Sequence, residues 1–302
     1  MNKKEDNFLI YSRLPTEKIN KNTFNIDRID ILSVVKKLND EDKKIPLAIS
    51  KKLKEIAKAA QIVSDAFLNG KKTLFIGAGT SGRLGVLEAV ELVPTYGVNS
   101  NRFIPIIAGG KTAMFKAKEG AEDLYINGKK EIKKIGKEGD ILIAIAASGI
   151  TPYVRGAIDQ AKDQKMKVIF ITSNTKIETN KADITIAVDV GPEPINGSTR
   201  MKSGTATKLV LNMITTSAMV LSGKVYHNWM VDLKPTNYKL ILRAQRIFCE
   251  ITGKDIKTAK KILKETNYDL KTAIVMAVKG ISQKEAKKLI NDNNGFLKNI
   301  IG

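Results

Sequence analysis

Five short, uninterrupted runs of aliphatic and β-branched residues alternate with stretches whose apolar residues recur every three or four positions. This alternation constrains the fold more than any other feature of the chain. The runs lie at residues 73–76, 103–107, 141–147, 168–172 and 184–188. A strand that is apolar at nearly every position is buried on both faces, and strands separated by helices run in the same direction. The pattern predicts an α/β fold, a doubly wound five-stranded parallel sheet whose ligands gather at the carboxyl ends of the strands. Ahead of it, residues 31–38 and 45–68 predict helices, with Pro46 suited to a first turn. Beyond it, residues 200–223 and 237–251 read as long helices. Residues 255–266, 270–278 and 283–292 then read as a compact three-helix appendage, the last helix opened by a capping box of Ser282 with Glu285. The expected division is a sheet domain with its leading helices over 1–235 and a helical region over 236–302.

No apolar stretch approaches the ~18 residues of a bilayer span. The leader MNKKEDNFLIYSRLP has no apolar core, so a secretory signal is not expected and a cytoplasmic protein without membrane contact is. One cysteine, Cys249, excludes an intramolecular disulfide, and one histidine, His227, argues against a His-based metal site or a Ser-His-Asp triad. The chain carries 51 basic and 31 acidic residues, a net charge of +20, which raises nucleic acid as a partner. Only eight of the basic residues are arginine, whereas base and planar phosphate recognition favour arginine forks. The lysines near the C-terminus, Lys257, Lys260, Lys261 and Lys264, fall on helical spacing around Ile256, Ala259 and Leu263, as on a solvated helix face. No nucleic-acid partner is expected.

Three loops can carry chemistry. The first strand runs into Gly77-Ala78-Gly79-Thr80-Ser81-Gly82-Arg83, a G-x-G-x-x-G loop between strand and helix. A dinucleotide site would also need an acidic residue ending the second strand, where the sequence has Ala108-Gly109-Gly110-Lys111. What the loop offers is the hydroxyls of Thr80 and Ser81 beside backbone N–H groups of Gly82 and Arg83 at a helix start, a cradle for a phosphate monoester. The alternative is tight strand-to-helix packing by the glycines. The third strand ends in a similar loop, Ser148-Gly149-Ile150-Thr151, with Thr151 as N-cap and Pro152 at the first helical position. Ser198, Arg200, Lys202 and Ser203 open the long helix and set hydroxyls and cations at its positive end. Helix capping is the alternative for both.

GAGTSGRLG at 77–85, PTYG at 94–97, EGAED at 119–123, AASGITPYV at 146–154 and GSTRMKSGTATKLVLNM at 197–213 together resemble the N-acetylmuramic acid 6-phosphate etherases. The likeness extends through NDEDKKIPLAI near the start and MVDLKPTN from Met230, some nine-tenths of the chain. It implies a sugar isomerase (SIS) domain, a ubiquitin-associated-like three-helix end, a homodimer, and no metal or other cofactor. The implied reaction cleaves the C3 lactyl ether of the sugar phosphate to N-acetylglucosamine 6-phosphate and D-lactate by elimination, then hydration. By motif position Glu91 is the implied acid at the leaving lactate and Glu122 the base at C2. Ordinary surface carboxylates would also suit both positions, since Glu88 and Glu119 stand three residues before them.

An acid in this role needs an apolar neighbourhood, which Leu92 and Val93 would supply. If the helix after Gly82 runs unbroken, however, Glu91 lies roughly 13 Å along it from the loop. Either the helix stops early, as Pro94 would encourage, or Glu91 serves a second subunit. The sequence reads EAVELVP where the family pattern is closer to DASECPP, with Val90 and Leu92 replacing small polar or thiol residues. The competing reading is a non-catalytic regulator like the glucokinase regulatory proteins, which carry two SIS domains in a chain about twice as long.

Overall fold

A computed structural model describes residues 12, 14–177 and 181–302. Most of the leader on which the absence of a signal was read lies outside the described residues. Contacts divide the chain into two compact units, one of residues up to Glu88 with Phe103–Ile214, the other of Ala89–Arg102 with Thr215–Gly302. This contact division crosses two long helices.

The first unit is built on five parallel strands, β1 (Thr73–Gly77), β2 (Phe103–Ile107), β3 (Ile141–Ile145), β4 (Lys167–Thr172) and β5 (Ile184–Ala187), in the order β2-β1-β3-β4-β5. β1 lies between β2 and β3, with Gly77 level with both Ile107 and Ile145. Because side chains alternate across a strand, Leu74, Ile76, Leu142, Ala144, Val168 and Phe170 share one face. They form one buried core with Ile132 and with Tyr153, Val154, Ala157 and Ala161. Those partners come from α5 (Tyr125–Ile135) and α6 (Pro152–Asp163). Against β1, β3 and β5 packs α3 (Leu53–Leu68), burying Ile56, Ala59, Ala60 and Val63.

Ahead of α3 come α1 (Ile31–Asp42) and α2 (Lys44–Ser50). The single helix expected over 45–68 is therefore two helices, because the polar stretch Ser50-Lys51-Lys52 has no apolar side chain to bury and closes in a turn from Lys52 N–H to the Ile49 carbonyl. Two helices extend beyond the first unit: α4 (Gly79–Tyr96), which follows β1, and α7 (Lys202–Leu221).

The second unit contains a two-residue hairpin of β6 (Val225–Tyr226) with β7 (Trp229–Met230), then α8 (Tyr238–Thr252), α9 (Ile256–Glu265), α10 (Leu270–Lys279), α11 (Gln283–Asp292) and α12 (Lys298–Ile301). The three expected short helices are present, and the Ser282–Glu285 capping box is formed. They share one core with α8, whose Leu240, Ala244, Ile247 and Phe248 are buried with Leu263, Ile274 and Val275. The buried Lys271 donates to the carbonyls of Gly223 and Gly295 and to Asp232 Oδ2, at 2.9, 3.0 and 2.7 Å, tying the segment after α7 to the helices. His227 occupies the hairpin turn with its ring against Tyr226, and Arg246 lies over the Trp229 ring. Cys249 is partly buried against the same core. Among the described residues no helix is long and apolar enough to cross a membrane.

In the first unit α5 and α6 approach through glycine. A Cβ on Gly156 would stand 2.1 Å from the Tyr125 carbonyl oxygen, a backbone atom that cannot rotate away. Gly156→Ala is expected to force the helices apart and cost about 1–3 kcal/mol, measured as a lowered urea midpoint with an unchanged slope.

Candidate active site

In a parallel sheet ordered β2-β1-β3, the chain leaves β1 toward one side and β3 toward the other, opening a crevice at their carboxyl ends. The helices α4 and α6 both begin there. The first ladder bond of α4 runs from Gly82 N–H to the Ala78 carbonyl at 3.2 Å, and that of α6 from Arg155 N–H to Thr151 at 3.1 Å. The N–H groups of Gly79, Thr80 and Ser81, and of Tyr153 and Val154, are therefore left over by their own helices. Thr151 is the N-cap of α6 with Pro152 after it, as expected, but its hydroxyl makes no capping bond.

A cleft at this crevice is lined by Ser81, Ser148, Thr151 and Thr199, by the carboxylates of Glu17, Glu122 and Asp123, and by Thr16 and Gly197. Glu122 stands in a 3-10 turn, Ala121–Asp123, and also lines a neighbouring cavity with Arg83, Lys118 and Glu119. Its carboxyl is raised above the ordinary glutamate value, first by desolvation, then by the negative charges of Asp123 and Glu119. A carboxyl raised in this direction is suited to accept and return a proton.

The structure thus brings Ser81, Ser148, Thr151 and Glu122 together, while the other loop residues lie outside the cleft lining. Gly82 has its N–H committed to Ala78, and a Cβ there would stand 2.6 Å from the Gly77 oxygen and from Ile107, so this glycine answers to strand–helix packing. Gly149 N–H closes a turn onto the Ala146 carbonyl at 3.0 Å. A Cβ placed on Gly204 would meet the Thr80 methyl at 3.5 Å. Arg83 Nε donates to the Met114 carbonyl at 3.1 Å. Ser198 is bound within its own loop and Arg200 is exposed.

Lys202 and Ser203 are the clearest departures from the sequence expectation. The Lys202 side chain is 1% exposed, and its Nζ lies 2.6 Å from Glu41 Oε2. Its backbone N–H and that of Ser203 donate to the Glu193 carboxylate at 2.8 and 2.9 Å. The positive end of α7 is thus occupied by the protein's own carboxylate, and the ammonium by Glu41. Around Glu41 gather Lys44, Asn20 and Asn22, the last two donating at 2.9 and 2.8 Å. Asn20 also donates to the Pro192 carbonyl, Thr23 to Pro194, and Gly197 N–H to Thr16. The segment from Leu14 to Thr23 is thereby fastened along the loop that leads into α7.

Comparison with known proteins decides the family. Residues 54–162 match the glucokinase regulatory protein N-terminal SIS domain, and 126–217 the SIS domain. The chain is 50% identical to the N-acetylmuramic acid 6-phosphate etherase of Clostridium botulinum (strain Okra / Type B1) over 287 residues, 94% of this chain and 95% of that protein. The chain belongs to the N-acetylmuramic acid 6-phosphate etherase family. The family member of Vibrio atlanticus (strain LGP32) is 46% identical over 292 residues, 96% of this chain and 95% of its own. Among solved structures, the Escherichia coli CFT073 protein c3406 matches with TM-score 0.51 at 17% identity, covering 68% of this chain and 96% of that one. That likeness is one of fold.

The second glutamate expected from this family, Glu91, lies on α4, which runs unbroken through Pro94 to Tyr96. The option of an early helix stop falls. Leu92 is turned into the interior while Glu91 is exposed, and the apolar residue on its own face, Leu87 one turn before it, is 47% exposed. The apolar shelter expected of Leu92 is therefore not formed by that residue. Glu17, Glu41, Asp123, Glu193 and Thr199 were missed by sequence reasoning. Glu41, Asp123 and Thr199 stood within motifs already singled out, Glu41 pairs with Lys202 far away in the chain, and Glu193 with the start of α7 nine and ten residues on.

The Glu41 network carries a prediction about acid. Burial alone would push the Glu41 carboxyl up, but hydrogen bonds from Lys202, Lys44, Asn22 and Asn20 outweigh it and hold the group at about 2, against an ordinary 4.5. A depressed folded-state value stabilises fully above the unfolded value and is lost as pH falls toward the folded one. Stability should therefore drop between about pH 4.5 and pH 2 in the wild type. Glu41→Gln should flatten that drop and cost about 3–5 kcal/mol at neutral pH, by leaving a buried ammonium without its counter-charge. Urea unfolding across pH measures both.

Proposed function

We propose that this chain is a carbon–oxygen lyase that converts N-acetylmuramic acid 6-phosphate and water to N-acetylglucosamine 6-phosphate and D-lactate. The observation that carries the reading is Glu122, a carboxyl with a raised pKa, lining the same cleft as the hydroxyls of Ser81, Ser148 and Thr151 at two helix starts. The leftover N–H groups of α4 and α6 and these hydroxyls bind the phosphate; among the described residues the cleft lining has no cationic side chain. In the open-chain sugar the C1 carbonyl acidifies the C2 hydrogen. Glu122 takes that proton, and the C3–O bond breaks as the departing ether oxygen is protonated, releasing D-lactate and leaving a C2–C3 double bond. Water then adds at C3 while Glu122 returns the proton to C2. The acid for the leaving oxygen is Glu91, which then activates the water.

With Glu91 exposed on a helix that also exposes Leu87 and Val90, we place it across a homodimer interface, serving its partner's cleft. The reaction belongs to cytoplasmic recycling of peptidoglycan sugars. The alternative of a non-catalytic regulator is not favoured, because the etherase relatives match over nearly the whole of both chains.

Two outcomes are expected. Released D-lactate should be measurable with the wild type and fall at least a hundredfold in Glu122→Gln, and the acid limb of its kcat/KM profile should report a pKa above the ordinary 4.5 of a glutamate. Activity falls as pH drops through that value, because the base must be ionised. Mixing inactive Glu91→Gln and Glu122→Gln proteins should restore up to about a quarter of wild-type activity, since half of the re-formed dimers carry one intact site of two. No recovery would place both glutamates in one subunit's cleft.

A further inference from the structure

We infer that Glu17 is a substrate-binding residue that fixes the orientation of the sugar in the cleft, accepting a hydrogen bond from a neutral donor of the sugar, a hydroxyl or the acetamido N–H. The inference rests on the proposed reading of the cleft as a sugar-phosphate site. Glu17 belongs to none of the sequence motifs and is half-buried at the cleft. Its backbone is fixed on the loop before α7: its carbonyl accepts from Asn196 Nδ2 at 3.1 Å, and the neighbouring Thr16 carbonyl accepts from Gly197 N–H at 3.2 Å. Its carboxylate accepts from the Thr16 hydroxyl at 3.2 Å and lies over Gly197, where a Cβ would meet Oε2 at 3.3 Å. The glycine at 197, with a φ of 73°, leaves the room that this carboxylate occupies.

Charge then decides what Glu17 faces. A phosphate dianion is repelled by a carboxylate and attracted by the hydroxyls of Ser81 and Ser148 and the leftover N–H groups of α4 and α6, so it belongs with those groups and not beside Glu17. What remains beside Glu17 is the uncharged part of the sugar, whose hydroxyl and amide hydrogens are the donors a carboxylate can accept. Phosphate held by those groups and a sugar donor held by Glu17 restrict the orientation of the sugar in the cleft that Glu122 also lines. The fastening of residues 14–23 through Asn20, Thr23 and the Glu41–Lys202 pair keeps that carboxylate in place.

The test is calorimetric titration of wild type, Glu17→Gln and Glu17→Asp with N-acetylglucosamine 6-phosphate and, separately, with inorganic phosphate, beside a D-lactate assay. Losing a charge-assisted hydrogen bond should weaken the sugar phosphate about tenfold to a hundredfold in Glu17→Gln and less in Glu17→Asp, with inorganic phosphate unchanged. Unchanged affinity for the sugar phosphate overturns the inference. So does an equal loss for both ligands, which would mean that Glu17 only holds the cleft together. A wild type that binds sugar phosphate but releases no lactate overturns the etherase reading and leaves this one standing. One that binds no sugar phosphate overturns both.

Discussion

The position of β1 between β2 and β3 governs the rest of the first unit. With all strands parallel, the two helices that follow β1 and β3 must start side by side and diverge, and each start leaves backbone N–H groups that its own ladder cannot use. An anion is the natural occupant of such a place. The sequence lines it with hydroxyls, which leaves room for carboxylates in the same cleft. A lysine there would pair with Glu122 and lower its pKa, whereas desolvation and the neighbouring charges of Asp123 and Glu119 raise it.

Among the described residues no cation stands in this lining, and Lys202 is used structurally instead. Lys202 is buried against Glu41, and Glu193 occupies the start of α7. Burying a lysine costs several kcal/mol of desolvation, which only a well-placed counter-charge offsets. The return is positional: this pair, with Asn20 and Thr23, fastens the segment from Leu14 to Thr23 beside the loop before α7, and so presents Thr16, Glu17, Gly197 and Thr199 to the cleft.

The sheet was legible in the sequence because a buried parallel strand declares itself by unbroken apolar runs, and all five lie within a few residues of where they were expected. Ser81, Ser148 and Thr151 were legible because hydroxyls at helix starts carry a local signal. Gly82 carried two readings for the same reason: a glycine beside a helix start looks the same whether it admits a phosphate or makes room for the Gly77 carbonyl, as this one does. The burial of Lys202 was not legible because its partner is 161 residues away, and no spacing rule reveals a pairing of that range. The pairing of Glu41 was invisible for that reason too. The expectation of an apolar shelter for Glu91 failed on helix geometry, since Leu92 is the next residue and turns about 100° away.

The central claim is that Glu122 moves the proton at C2. N-acetylglucosamine 6-phosphate incubated with the enzyme in heavy water and followed by proton NMR tests it most directly, because reversal of the hydration exchanges the C2 hydrogen. The account predicts that the C2 signal fades with the wild type and persists with Glu122→Gln, while that variant still binds the sugar phosphate. Fading of the C2 signal at the wild-type rate in Glu122→Gln would contradict it.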